Sequence, residues 1–119
     1  MKKITFYKNM RGYDAEQGGY YSGEGKYRFG YHFESDEGYL YICPNGLQTV
    51  LSKVCDGVWR ATELTTGVIC SPDARTIKEL KEKLAFASLP AKRMIDNASQ
   101  NILDAINALK AYAKIPAVA

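Results

Sequence analysis

The hydrophobic period of the chain changes at Cys70. Before this residue, short apolar and β-branched runs alternate with turn signals; after it, apolar residues recur every three or four positions, which is the spacing of one helix face. Tight turns between consecutive strands join them in antiparallel pairs. The sequence therefore predicts an α+β fold, in which a four- to five-stranded antiparallel meander sheet is followed by two C-terminal helices packed on one of its faces.

The strand-rich part, residues 1–70, is divided by turn signals. Asn45-Gly46 and Asp56-Gly57 each separate two apolar runs, a pattern typical of two-residue hairpins. The predicted strands are residues 2–9, 26–34, 39–43, 47–54, 58–64 and a short segment 68–70, with further turns at 35–38 and 65–67.

Two-residue turns would also assign each residue of the meander to a face of the sheet. They pair Tyr41 with Val50 and Ser52 with Ala61. One face is then aromatic (Tyr39, Tyr41, Cys43, Val50, Val54, Trp59, Ala61) and the other aliphatic (Leu40, Ile42, Leu47, Leu51, Cys55, Val58, Leu64). We expect the helices to cover the aliphatic face. The aromatic face then needs another cover, which is the 10–25 loop, a second copy of the chain or a target protein.

An aromatic ring stands at every second position of "KYRFGYHF", residues 26–33. Tyr27, Phe29, Tyr31 and Phe33 would share one side of a strand, with Arg28 and His32 on the other. The turn at 35–38 decides which face receives these rings. A two-residue turn pairs Phe33 with Leu40 and places the rings in the aliphatic core. A three-residue turn pairs Phe33 with Tyr41 and adds them to the aromatic face.

Residues 10–25 form the longest predicted loop. Five glycines argue against a regular element, and a loop of this length in a compact domain is usually functional or mobile. Tyr13, Tyr20 and Tyr21, together with Ser22 and the glycines, match the composition of binding loops. The alternative is a plain loop whose tyrosines pack down on the sheet.

Two helices are predicted between residues 71 and 113. Ser71 is the expected N-cap of the first, followed by Pro72 in the first turn, and Pro90 is expected to break or sharply bend it. The second, residues 91–113, carries a seam with spacings of four and three: Ala91, Ile95, Ala98, Ile102, Ala105, Leu109 and Tyr112. The seam predicts packing within the chain or, as the alternative, a homodimer. Residues 114–119 are a tail.

Charge and composition favour one cytoplasmic domain, residues 1–119. The net charge is +3 and lies in the helical part, where lysines 78, 81 and 83 alternate with Glu79 and Glu82, as on a solvated helix face. Three cysteines without a CxxC pair suit a reducing compartment. The N-terminal residues are too polar for a secretory segment, and no apolar run approaches the length of a membrane span.

The chemical motifs point away from catalysis and from cofactors. Gly25-Lys26 does not complete a phosphate loop, because the earlier glycine and the following Ser or Thr are missing. His32 is the only histidine, and the cysteines are too widely spaced for a typical zinc site. "RFGYHF" lacks residues of the RNA-recognition signature. We therefore expect no enzyme activity, no metal and no cofactor, while stacking of single-stranded bases stays an alternative.

The run "WRATELTTGVICSPDARTIKEL", residues 59–80, resembles a segment of small proteins of bacteriophages and mobile elements. In that group, a strand ending in Thr-Glu-Leu-x-Thr-Gly leads into a short strand and a capped helix. The resemblance covers about a fifth of the chain. It implies a fold element more than a function, and it implies no catalytic residue. Together with the resemblance, the small size, the cytoplasmic character, the tyrosine-rich surface and the lack of catalytic motifs would suit a phage-encoded inhibitor of a host system, such as an anti-CRISPR protein.

The leading hypothesis is a non-enzymatic protein-binding module that acts by occluding the surface of a host protein. The residues expected to bind the partner are Tyr13, Tyr20, Tyr21, Tyr27, Arg28 and Tyr31. The first alternative is nucleic-acid binding through the same rings, with Lys26, Arg28 and the basic helical part. The second is a structural homodimer that uses the Ala/Ile seam or the aromatic face.

Overall fold

The computed structural model describes residues 1–9, 13–14, 19–20 and 33–114. The strands are β1 (Lys3–Asn9), β2 (Tyr13–Asp14), β3 (Gly19–Tyr20), β4 (Phe33–Ile42), β5 (Gln48–Cys55) and β6 (Val58–Glu63), and the helices are α1 (Ile77–Asn97) and α2 (Gln100–Ala113). Four strands form one antiparallel sheet in the order β1-β4-β5-β6, and β2 pairs with β3. The predicted α+β class, with a four-stranded sheet followed by two helices, is confirmed.

Strand β4 runs unbroken through residues 35–38, where the sequence predicts a turn. It pairs with β1 along the whole of that strand, from Lys3 opposite Tyr39 to Asn9 opposite Phe33. The acidic residues of the segment face lysines of β1: Lys8 lies 3.1 Å from Asp36 and Lys3 lies 3.4 Å from Glu37. Both predicted turns are therefore wrong, since Phe33 lies opposite Asn9.

The hairpin between β4 and β5 turns at Asn45-Gly46 as predicted, but its loop has one more residue than expected. The backbone N–H of Cys43 donates to the carbonyl of Leu47 at 2.9 Å, and Gly46 has φ +92°, as in a three-residue hairpin with glycine in the left-handed region. Tyr41 consequently lies opposite Thr49. The predicted pairing with Val50 is wrong by one residue, and such a shift exchanges the two faces of β5.

The hairpin between β5 and β6 has the predicted two-residue turn, with Cys55 opposite Val58 and Gly57 at φ +72°. An irregularity between Lys53 and Cys55 then shifts the register, so that Ala61 lies opposite Leu51. A bulge adds one residue to one strand, and the predicted pair of Ser52 with Ala61 is wrong for that reason.

The two shifts place the core on the face that carries the aromatic residues. The buried core joins residues of this face to the inner side of α1: Cys43, Leu47, Leu51, Ala61, Ala74, Leu80 and Leu84, with Tyr41 and Trp59 packed against them. The expectation that the helices cover a separate aliphatic face is wrong, because Leu47 and Leu51 lie on the aromatic face. The opposite face is also apolar in part, and its Phe6, Val50 and Thr62 are buried.

Helix α1 begins five residues later than predicted. Ser71 is not its N-cap, because the chain stays extended after it: Ala74 exchanges two backbone hydrogen bonds with Trp59, at 2.7 and 3.0 Å. Asp73 receives the guanidinium of Arg60 at 3.0 and 2.9 Å, and these bonds lower the pKa of the Asp73 carboxyl. The helix is capped by Thr76 instead.

Pro90 lies inside α1, so the predicted helix break at this residue is wrong. Proline has no backbone N–H, so the carbonyl of Phe86, four residues earlier, loses its helical hydrogen bond. Phe86 is exposed on the outer side of the helix. On the inner side, the side-chain amide of Asn45 donates to the carbonyl and the hydroxyl of Ser88 at 3.2 and 3.3 Å. The helix ends at Ala98, whose φ of +45° is left-handed.

The caps of the two helices give a matched pair of substitutions. Thr76 Oγ1 accepts the backbone N–H of Glu79 at 3.1 Å, whereas Ser99 caps α2 without a side-chain hydrogen bond. We expect Thr76→Ala to lower the free energy of unfolding by about 1 kcal/mol and Ser99→Ala to change it by less than about 0.3 kcal/mol. Urea denaturation of both variants measures the difference, and equal effects would contradict the Thr76 cap.

Candidate functional site

A groove of about 790 Å³ lies between the two helices and the chain that follows β6. Helix α1 packs chiefly on β6 and α2 on β1, so the two helices diverge from the corner at Ala98. The groove is lined by Asn9, Glu63, Thr66, Val68, Ile69, Cys70, Ala91, Met94, Ile95, Asn101, Ile102, Asp104 and Ala105. It is the best candidate for a binding site in the described part of the chain.

Apolar side chains form most of the groove surface. Three of them are large and well exposed: Val68 (48%), Ile69 (52%) and Met94 (58%). Ile95 and Ile102 are half-buried behind them. Scattered exposed apolar side chains are ordinary on proteins, but three that converge on one concavity indicate a surface adapted to an apolar partner.

The turn after β6 holds Val68 and Ile69 at the edge of the groove. The carboxylate of Glu63 accepts four hydrogen bonds within this turn, from the backbone N–H and the hydroxyl of both Thr65 and Thr66, at 2.6–2.9 Å. Glu63 is only 4% exposed, and each bond to its charged form is stronger than a neutral one. The turn is thus built around one buried carboxylate.

Gly67 ties this turn to the far edge of the sheet. Its carbonyl accepts the backbone N–H of Asn9 at 2.8 Å, although β1 and β6 are the two outer strands of the sheet. A Cβ at Gly67 would lie 2.6 Å from the carbonyl oxygen of Tyr7. The sheet therefore curls until its edges meet, and Asn9 enters the groove. Asn9 Oδ1 is buried there without a hydrogen-bond partner among the described residues.

The cysteines near the groove are poor nucleophiles. Burial, together with the charges of Cys43 and Glu63, raises the pKa of Cys70 to about 12. Burial also raises the pKa of Cys43. A thiol must ionise to attack, and at pH 8 only about one Cys70 in 10,000 would be a thiolate. The chemistry of these two side chains is that of small apolar groups.

We therefore expect the three thiols to differ in their reaction with iodoacetamide. Cys55 is exposed, whereas Cys43 is buried. In the native protein at pH 8, Cys55 is expected to be alkylated at least about a hundredfold faster than Cys43 or Cys70, as measured by mass spectrometry of the peptides. In concentrated urea the three rates should converge. Equal rates in the native protein would contradict the raised pKa of Cys70.

The described residues hold neither a metal-binding cluster nor a membrane-spanning helix. Within residues 1–9, 13–14, 19–20 and 33–114, no three His, Cys, Asp or Glu side chains are placed to hold a metal ion together. Neither described helix has both the length and the apolar character needed to cross a membrane.

Five basic side chains of the described residues are paired with acidic ones, and they are spread over β1, β6 and α1. The ion pairs are Lys3–Glu37 (3.4 Å), Lys8–Asp36 (3.1 Å), Arg60–Asp73 (2.9 Å), Lys83–Glu79 (3.4 Å) and Lys92–Asp96 (2.7 Å). A nucleic-acid surface presents a cluster of basic residues to phosphates. Pairing with carboxylates reduces the positive potential that such a surface requires.

The partner-binding residues predicted from the sequence are only partly covered by the structure. Tyr13 and Tyr20 lie opposite each other in the pairing of β2 with β3, so the backbone brings these two positions together. Tyr21, Tyr27, Arg28 and Tyr31 lie outside the described residues, and so does His32. Their role stays a prediction.

The described aromatic rings of the sheet and of α2 are packed within the chain, whereas Phe86 of α1 is exposed. Phe33 is 5% exposed, and the ring of Tyr112 from α2 lies 5.4 Å from that of Phe33 and 5.5 Å from that of Tyr7. Trp59 and Tyr39 are half-buried, with ring centroids 6.4 Å apart. These contacts within the chain explain how the rings of β4 are covered, and no partner protein is needed for it.

The predicted helical seam is divided between two helices. Ala91 and Ile95 belong to α1, Ala98 forms the corner, and the rest of the seam belongs to α2. Ala105 and Leu109 are buried within the chain. The prediction of one continuous helix over 91–113 is wrong, and this seam does not form a straight dimer interface.

Sequence reasoning missed the groove. The residues that form it come from β1, from the segment after β6 and from both helices, and no local pattern connects them. The one signal in the sequence is the apolar pair Val68-Ile69, which belongs to the predicted short strand 68–70. In the structure only Ile69 forms a single bridge, to Thr62.

No family model, no curated protein and no solved structure matches the chain, so comparison with known proteins assigns no ligand to the groove. The resemblance of residues 59–80 to phage proteins stays a prediction.

Proposed function

We propose that this protein is a non-enzymatic binding module that holds an apolar segment of a cytoplasmic partner protein in the groove between α1 and α2. By covering that segment it inhibits the partner, in keeping with the phage or mobile-element inhibitor that residues 59–80 suggest. The observation that carries the proposal is the convergence of the exposed side chains of Val68, Ile69 and Met94 on one groove of about 790 Å³.

The walls of the groove suit a peptide segment. They are mostly apolar and include a few polar side chains. Two diverging helices offer apolar walls to a third amphipathic element, which is a common mode of peptide recognition. Ile95 and Ile102 provide such walls, and Asn101 and Asp104 are polar residues of the lining.

Catalysis and nucleic-acid binding receive less support from the described residues. The thiol of Cys70 lies in the groove wall, but its raised pKa makes it unsuitable as a nucleophile. Glu63 is occupied by four hydrogen bonds in its own turn. The ion pairs of the lysines reduce the case for a phosphate-binding surface.

The proposal is tested by charging the groove and measuring capture of a partner. Met94→Glu places a carboxylate among apolar side chains, and Leu89→Glu makes the same change at an equally exposed position outside the groove, on the same helix (58% and 56% exposed). Tagged variants are compared in capture from a bacterial lysate, with the captured protein identified by mass spectrometry and its affinity then measured on the purified pair. We expect Met94→Glu to weaken binding about a hundredfold and Leu89→Glu to leave it within about threefold.

Three outcomes would redirect the proposal. Equal binding by Met94→Glu and the wild type removes the groove as the site. If Tyr20→Ala with Tyr21→Ala abolishes capture and Met94→Glu does not, the site is the tyrosine-rich segment. Retention on heparin that falls steeply with salt favours nucleic acid as the ligand instead.

A further inference from the structure

The charged groups of the groove carry one sign only. Its described lining includes two carboxylates, Glu63 and Asp104, and no lysine or arginine. The chain as a whole has a net charge of +3. The described lining of the groove is therefore acidic, although the chain as a whole is basic.

Neither carboxylate is balanced by a basic side chain in the described residues. Glu63 is nearly fully buried and receives only hydrogen bonds from Thr65 and Thr66. Asp104 Oδ1 accepts from the side-chain amide of Gln100 at 2.7 Å, whereas its Oδ2 accepts no such bond from the part of the chain that the structure describes. A cation that enters the groove would meet the exposed charge of Asp104, whereas the carboxylate of Glu63 is held by its own turn.

Asn9 adds an acceptor to these charges. Asn9 Oδ1 is buried and has no hydrogen-bond partner within the described ranges, and its residue lines the groove. Buried acceptors without a donor are rare, because they lose their bond to water and gain nothing in return. Because this atom is enclosed by protein, only a shift of the surrounding residues would bring it into contact with a ligand.

We propose that the occupant of the groove is an apolar segment of a partner protein that carries a lysine or arginine, whose positive charge pairs with Asp104 while its apolar side chains contact Met94, Ile95 and Ile102. This inference rests on the proposed function and gives the partner its chemistry. The apolar contacts supply affinity, and the charge selects basic segments over acidic ones.

The test uses two synthetic peptides of about 16 residues, each an amphipathic helix with leucines at the spacing of one face. They differ only in carrying lysine or glutamate beside the leucines. Binding of the fluorescein-labelled peptides is followed by anisotropy. Nile red, a neutral dye, reports the apolar groove independently, because its fluorescence rises in apolar sites.

We expect the lysine peptide to bind the wild type about tenfold more tightly than the glutamate peptide, and to displace Nile red. Asp104→Asn should reduce this preference to about threefold or less. Asp96→Asn is the matched control, since Asp96 is an exposed carboxylate of α1 outside the groove. It should leave the preference unchanged.

The readouts separate the two proposals. Equal binding of both peptides with displacement of Nile red overturns the basic occupant and leaves the apolar groove. The basic occupant is also overturned if the preference for the lysine peptide survives Asp104→Asn, or if Asp96→Asn lowers that preference equally. In either case the preference reflects the general charge of the protein. Nile red fluorescence that is the same for Met94→Glu and the wild type removes the groove itself, and with it the proposed function.

Discussion

Replacing Gly67 with alanine is expected to lower the free energy of unfolding by about 3 kcal/mol or more. Gly67 has φ +74°, where a non-glycine residue costs about 1–2 kcal/mol. Its Cβ would also lie 2.6 Å from the carbonyl oxygen of Tyr7 and 2.8 Å from the backbone nitrogen of Asn9. These are backbone atoms that no rotamer change can move, so a further overpacking cost of about 1–3 kcal/mol is expected.

Gly57→Ala is the matched control. Gly57 has nearly the same φ, +72°, but its added Cβ would meet no described atom within 4 Å. It should cost only the backbone strain of about 1–2 kcal/mol. Urea denaturation and calorimetry measure both variants, and the extra destabilisation at Gly67 corresponds to a fall in the melting temperature of roughly 4 °C per kcal/mol.

Hydrogen exchange checks the mechanism behind this difference. Gly67→Ala is expected to break the hydrogen bond that the Asn9 N–H donates to the Gly67 carbonyl. The amide of Asn9 should therefore lose protection, while the amides of the β5–β6 hairpin keep theirs under native conditions. Equal destabilisation by the two substitutions would mean that the sheet edges do not meet at Gly67.

Local patterns predicted the fold class and two of the turns, but not the register of the strands or the ends of the helices. The change of period at Cys70 separates sheet from helices, and the glycines at 46 and 57 do form turns. The errors in register are one residue wide. The loop at Asn45 has three residues instead of two, and an irregularity lies beside Val54. The predicted and the observed register both satisfy the local turn and strand preferences. A shift of one residue nevertheless exchanges the two faces of a strand.

The segment at 35–38 shows how a distant partner overrides a local signal. Ser-Asp-Glu-Gly is typical of a turn. In the fold, Lys8 and Lys3 pair with Asp36 and Glu37 across the strands, and Gly38 lies so close to β5 that a Cβ would come 2.6 Å from Val50 Cγ1. Gly38 thus allows β4 to pack closely against β5, and the two acidic residues form ion pairs with lysines of β1.

Tertiary contacts, rather than local signals, also determine where the helices begin and end. Ser71 and Pro72 form a good local start, but Ala74 pairs with Trp59 and keeps the chain extended as far as Thr76. Pro90 is a good local stop, yet the helix is anchored on both sides of it by the buried Leu84 and the half-buried Ile95. The groove depends on these ends, because the corner at Ala98 sets where α1 and α2 diverge.

Leu84 is the position where truncation should release α1 from the sheet. Its side chain is 1% exposed and belongs to the core cluster with Leu51 and Ala61. Leu84→Ala removes buried methyl groups and leaves a cavity that a curled sheet can fill only in part. The expected decrease in the free energy of unfolding is about 3–4 kcal/mol, a large share of the stability of an ordinary domain, which is about 5–15 kcal/mol.

Leu89→Ala is the control for this change, because it makes the same truncation on the same helix at a side chain that is 56% exposed. It should alter the free energy of unfolding by no more than about 0.5 kcal/mol. Urea denaturation measures both variants. Similar destabilisation by the two would mean that α1 is not held through Leu84. Because α1 forms one wall of the groove, Leu84→Ala should also weaken binding of Nile red below the unfolding transition, whereas Leu89→Ala should not.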